Sequence, residues 1–233
     1  MRKNIDPIVL PGKYASHMHS FYGSDAVTKN LPTTAELQKG CPSGENPNDL
    51  SVYWAPTLYY VKGDTYTEVY PATFKTYYEN IDRAEIPFPR DLHMADINEK
   101  LTAITWWCDT GADDRNSRPR AAFPRGTCGA HMQAILRFPD CVNPNKVTEY
   151  APAGMKRMPS LRFSARYNTK AAIPGGWSGI PPFKLACGES FMAIDGAHGK
   201  GKVPFNQSCK PKDRDPEGGT SDYHKSLEMM GHT

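Results

Sequence analysis

Proline and glycine break this chain at short intervals, with 21 Pro and 19 Gly among 233 residues. Proline removes a backbone donor and fixes φ, and glycine weakens a helix interior, so long helices have no room. The segments between these breakers are short, aromatic and β-branched, with turn residues at both ends, and they read as strands. They cover residues 52–61, 101–108, 132–138, 160–167 and 183–187. The clearest helix runs from Thr33 to Lys39, with a Thr cap, Glu36 in the first turn and Gly40 as the stop. Residues 70–80 suit either a second short helix or a strand.

Residues 160–167 carry the best alternation. Leu161, Phe163, Ala165 and Tyr167 point to a core, with Arg162, Ser164 and Arg166 opposite. Strands of this kind at irregular spacing, with no βαβ rhythm and no internal repeat, predict a mainly β fold. The expected architecture is a β-sandwich of jelly-roll type with long loops and one or two short helices. Residues 1–209 read as a single disulfide-stabilised domain. Residues 210–233 are charged, lack apolar periodicity and read as a flexible tail.

The charge balance is 28 Lys+Arg against 25 Asp+Glu, a net charge of +3. This excess is too small to point to nucleic acid. No apolar run approaches the ~18 residues of a membrane span. Cys41, Cys108, Cys128, Cys141, Cys187 and Cys209 are spread along the chain with no Cys-x-x-Cys spacing, which fits disulfides of a secreted protein better than a zinc knuckle. The start, Met1-Arg2-Lys3-Asn4, has no apolar leader core, so the chain reads as a mature extracellular form. Asn206-Gln207-Ser208 is a glycosylation sequon at Asn206.

Chemistry concentrates first in Ser16-His17-Met18-His19-Ser20. Alternate side chains of an extended segment share a face, so His17 and His19 project together. Such a pair could bind a divalent metal ion with a third ligand such as His198, or serve in acid–base catalysis. The alternative is a hydrogen-bonded structural pair. Asp6, Asp25 and Asp140 are candidate carboxylates, although an Asp beside Pro or Gly is more often a turn-maker. Catalytic roles are assigned to His17, His19, Asp25 and Asp140. Among the aromatic pairs, Trp54, Tyr59 and Trp106 are candidates for stacking on a sugar ring. Nucleophile-elbow, P-loop, His-Glu-x-x-His and dinucleotide motifs do not occur.

Taken in order, four stretches resemble one family. They are Asp6-Pro7-Ile8-Val9 with Ser16-His17-Met18-His19-Ser20-Phe21-Tyr22-Gly23-Ser24-Asp25, then Tyr53-Trp54-Ala55-Pro56-Thr57-Leu58-Tyr59, then Phe138-Pro139-Asp140-Cys141, and finally Gly154-Met155-Lys156-Arg157-Met158-Pro159-Ser160-Leu161-Arg162-Phe163-Ser164. The chain resembles the secreted fungal and actinobacterial family named domain of unknown function nineteen ninety-six. The resemblance implies an extracellular protein of the fungal type, often joined to wall-binding modules, and it marks Ser-His-x-His as the family's hallmark. It supplies no activity. Two departures stand out: Ala151 occupies the place of a family cysteine, and the stretch from Asp195 to Lys200 keeps His198 but not the Asp-Phe that follows it in the family.

The expectation is therefore a secreted protein at a polysaccharide-rich surface such as a fungal cell wall. It acts either as a hydrolase or lyase with a His-lined site, losing activity on acidification as the pair protonates near physiological pH, or as a non-catalytic wall-binding or self-assembling protein. A third reading makes the charged tail a contact segment for a partner.

Overall fold

The structure of the protein, a computed structural model, describes residues 1–14, 16–44, 46, 48–90, 92–94, 103–110, 119–145, 155–186 and 211–215. It is mainly β, built of several antiparallel sheets with two short helices. No helix among the described residues is long and apolar enough to cross a membrane. The chain divides into two compact units, Met1–Ala72 with Pro182–Thr233, and Thr73–Pro181.

In the first unit, β1 (Arg2–Lys3), β2 (His19–Gly23) and β3 (Val52–Pro56) form one antiparallel sheet in that order. Lys3 lies opposite His19, and His19 opposite Pro56. A second sheet holds β4 (Leu58–Lys62), β5 (Thr65–Glu68) and β12 (Phe183–Leu185), with β4 central. Gly63, at φ 58°, opens the two-residue turn between β4 and β5, where a positive φ favours glycine.

The run 52–61, read from sequence as one strand, is two strands in two sheets. The break follows Pro56, which has no N–H to give to a ladder. Thr57 then serves both sides: its N–H donates to the Met18 carbonyl (3.0 Å), and its carbonyl accepts from Ala186 N–H (2.7 Å). Its hydroxyl bonds that of Ser20 at 2.9 Å.

Helix α1 (Thr34–Gln38) forms where its cap signal lies. Thr33 N–H donates to Glu36 Oε2 (2.7 Å), and Glu36 N–H donates back to Thr33 Oγ1 (3.3 Å), a reciprocal capping box.

In the second unit, β6 (Pro71–Glu79, entering from the first unit), β11 (Ser160–Tyr167), β8 (Met132–Arg137) and β7 (Ala103–Cys108) lie in that order. Residues 70–80 thus resolve as a strand. Phe163 of β11 packs against Phe74 (5.1 Å between ring centroids) and Phe138 (4.7 Å). Leu161, Ala165 and Tyr167 are buried with it, as their alternation predicts. Ser164 departs from the pattern. It is buried too, and Gln133 Nε2 donates to its hydroxyl at 2.8 Å, which satisfies it. Helix α2 (Thr169–Ala172) follows β11, while β9 (Cys141–Val142) and β10 (Lys156–Arg157) pair antiparallel.

Cys108 and Cys128 form a disulfide across a 20-residue separation, and Cys41 is also disulfide-bonded. In the chain-entropy account a loop of that length contributes roughly 3 kcal/mol. Cys141 departs from an all-disulfide framework: it is a half-buried free thiol, 3.6 Å from Asp140 Oδ1. Cys187 and Cys209 lie outside the described residues.

Residues 211–215, the described part of the segment expected as a tail, are held by polar contacts within the first unit. Arg214 Nε donates to Asp25 Oδ1 at 2.9 Å, and Asp213 pairs with the buried Lys3. A polar segment of low hydrophobicity is held here because Asp213, Arg214 and Asp215 each find a partner.

Two expectations follow. Met18 is fully buried with Tyr59 and Ala186, so Met18→Ala should lower unfolding free energy by about 2–5 kcal/mol in urea titration. In the native protein Cys141 should take up a maleimide, while Cys108 and Cys128 should label only after reduction, as read by peptide mass mapping.

Candidate functional site

The site is built from two stretches of the first unit. Asp6 opens a turn in which Leu10 N–H donates to its carbonyl at 2.8 Å. The side chain closes the same turn, with Oδ1 accepting from Ile8 N–H (3.1 Å) and Val9 N–H (3.0 Å). This is ordinary Asp turn chemistry, and it locks the carboxylate in one orientation. The other oxygen, Oδ2, lies 3.8 Å from His19 Nε2.

His17 and His19 flank Met18, whose side chain enters the core. Near-extended backbone therefore throws both imidazoles to the opposite side, and their ring centroids are 4.3 Å apart, tilted by 43°. His19 is buried and His17 half-buried, so solvent reaches the pair through His17.

His19 Nδ1 lies 2.9 Å from the Ile5 carbonyl oxygen. A carbonyl only accepts, so Nδ1 carries the proton, and neutral His19 presents a lone pair on Nε2. That lone pair and Asp6 Oδ2 are then two acceptors facing a common space. Their separation exceeds a direct hydrogen bond, yet one oxygen donor beside them can lie within hydrogen-bond distance of both.

Both rings hold protons less readily than a free imidazole. Burial pushes His19 from 6.5 down to about 4, helped by the neighbouring His17 and opposed by Asp6 and the Ile5 carbonyl. Burial lowers His17 as well, against the pull of Asp6. The pair therefore stays neutral at physiological pH, and the protonation expected there from sequence moves to more acid conditions.

The other expected site residues divide. Asp25 is buried, and both its oxygens are taken by Cys41 N–H (2.9 Å), Lys212 N–H (3.0 Å) and Arg214 Nε (2.9 Å). It is a structural clamp rather than a free proton carrier. Asp140 belongs to the second unit, where Ser160 Oγ donates to it at 3.3 Å and Arg157 Nε lies 3.9 Å away.

Tyr59 is 1% exposed and Trp106 2% exposed. Both are core rings, Tyr59 against Tyr66 and Trp106 against Phe123 and Tyr167, so neither offers a face to a sugar. Trp54 is half-buried and stacked on Phe21 at 5.6 Å. His198 and Asn206 lie outside the described residues. Among the described residues, no group of three or more His, Cys, Asp or Glu side chains is arranged to hold a metal ion. Sequence reasoning undervalued Asp6: the Asp-Pro step signals its turn, but nothing local signals where its second oxygen points.

Fold and site together define a mainly β protein in which a strand-borne histidine pair is backed by a turn-capping carboxylate. Residues 6–199 match the family described as Domain of unknown function (DUF1996), and the chain belongs to that family. No curated protein and no solved structure matches it.

The lowered His19 affinity has a consequence for stability. Between pH 6.5 and about 4 the unfolded chain holds a proton on this residue that the folded chain does not. Stability should therefore fall as pH falls through that window, by up to about 1.4 kcal/mol per pH unit from this group, and level off below it. Urea unfolding at stepped pH should show this slope in the native protein and a shallower one in His19→Asn.

Proposed function

We propose that this is an extracellular protein acting at a polysaccharide-rich surface such as a fungal cell wall, as a carbohydrate-directed hydrolase or lyase whose acid–base centre is His17, His19 and Asp6. The observation that carries the reading is the convergence of His19 Nε2 and Asp6 Oδ2 beside a half-buried second imidazole. Two fixed acceptors of this kind can take a proton from a water that attacks a glycosidic carbon. They can equally take one from a carbon beside a uronic carboxyl group, with the bond to the leaving oxygen then breaking. His17, the ring nearer solvent, exchanges the proton with the leaving group and the bulk.

The extracellular part rests on disulfide usage and on the secreted character that the family resemblance implies. The carbohydrate part rests on that resemblance together with the chemistry of the pair. A divalent ion on the His17 and His19 pair is the variant of this reading that elemental analysis would test.

A second reading is favoured by one observation. Tyr77 and Tyr78, on β6, are 36% and 40% exposed, and the Arg162 guanidinium lies 3.9 Å from the Tyr77 ring centroid while Glu79 holds it at 2.8 Å. Rings of this sort suit a non-catalytic wall binder that stacks on sugars.

Purified protein assayed against wall glucans, chitin, mannans and polyuronates should release reducing ends or unsaturated products. Asp6→Asn, His17→Ala and His19→Asn should each reduce turnover by about 10²–10⁴-fold while circular dichroism stays native. With a buried base near 4, turnover should persist to mildly acid pH and fall only on approach to that value. Undiminished turnover in all three variants would remove the centre. Glycan retention that survives them but is lost in Tyr77→Ala with Tyr78→Ala would establish the second reading.

A further inference from the structure

Lys3 is fully buried, a costly place for an ammonium group. Among the groups that hold it are two of one distant segment, Asp213 Oδ2 at 3.2 Å and the Asp215 carbonyl at 2.6 Å. The same segment is pinned on every side. Asp215 N–H donates to Asp213 Oδ1 (2.9 Å), and the Tyr14 hydroxyl donates to the Asp215 carboxylate. Arg214 reaches Asp25 through Nε and the Lys39 carbonyl through Nη2 (3.0 Å).

On its other side, Lys3 is the β1 residue directly opposite His19, and Ile5, two residues on, supplies the carbonyl that takes the His19 Nδ1 proton. Asn4 ties the same stretch to the loop before the pair, its side chain donating to the Tyr14 carbonyl (3.1 Å) and its carbonyl accepting from Ser16 N–H (3.1 Å). Residues 2–5 and 211–215 both fall outside the 6–199 stretch that matches the family. Neither half of this arrangement is part of the matched domain, yet together they hold a carbonyl that orients its hallmark histidine.

We propose that Lys3 and Asp213 are positioning residues for the histidine pair, the 211–215 segment acting as a clasp that keeps the Ile5 carbonyl on His19 and so holds His19 in one tautomer. The clasp rests on the reading of the pair as a functional centre, but its effect is read on His19 itself and needs no substrate. Loosening residues 2–5 frees Nδ1 from the Ile5 carbonyl, so that nothing fixes which ring nitrogen carries the proton.

The test is nitrogen-15 NMR of the histidine rings in the full chain across pH. The native protein should show His19 as a single Nδ1–H tautomer. Asp213→Asn, which takes a counter-charge from Lys3, should give mixed His19 tautomers in place of the single one. Lys3→Met with Asp213→Leu, an uncharged filling of the same space, should restore the single tautomer.

An unchanged tautomer in Asp213→Asn, with or without a lower melting temperature, would overturn the proposal. So would a double variant that keeps the mixed tautomers of the single one. Should Asp213→Asn fail to fold, Tyr14→Phe removes only the hydroxyl bond to Asp215 and must move the same signals in the same direction; no movement overturns the clasp. An unmoved His19 in these variants alongside inactive Asp6→Asn would reject the clasp and leave the centre. The reverse pattern would reject the centre and leave the clasp as a structural coupling.

Discussion

The first unit depends on making a fully buried ammonium tolerable. An unpaired Lys3 would cost several kcal/mol to desolvate, and Asp213 and the Asp215 carbonyl beside it offset that cost. Arg2 next to it meets the same requirement through Glu68, with the Tyr70 ring 5.0 Å from its guanidinium. Buried ion pairs of this kind are weak evidence of net stability, because an apolar filling of the same space is often as favourable. What they accomplish is placement. They bring residues 2–5 against β2, and that contact puts the Ile5 carbonyl on His19.

From that contact the chemistry follows by elimination of alternatives. A carbonyl on Nδ1 decides the tautomer, the tautomer decides that Nε2 is an acceptor, and the turn at Asp6 brings a carboxylate oxygen to the same side. Burial then keeps the ring neutral, so the two acceptors remain acceptors over most of the pH range. His19 bonds the Ile5 carbonyl through Nδ1 and has Asp6 Oδ2 3.8 Å from Nε2.

Local signals in the chain were read well where short-range physics decides. The Thr33–Glu36 capping box and the Gly40 stop mark α1 because cap and helix lie within a few residues of each other. The alternation of 160–167 marks β11, and Met18 between two histidines already implies rings on one side and a thioether on the other. Reading failed where a residue type suits two environments. Tyr59 and Trp106 have the flat faces of sugar platforms, but Met18, Tyr66, Phe123 and Tyr167 close over them. Residues 211–215 have the composition of a solvated tail, yet meet Lys3 and Asp25, two charges that need them.

The sequence by itself determined the mainly β character, the short helix, the pairing of His17 with His19 on one side of the backbone and the family of the chain, since each is written in periodicity, caps and motif order. Only tertiary structure decided which carboxylate faces the imidazoles, which aromatics are core and which charges are clasped. Those outcomes hang on partners tens to hundreds of residues away, and the energy of a buried polar group is set by the partner it meets rather than by its neighbours in the chain.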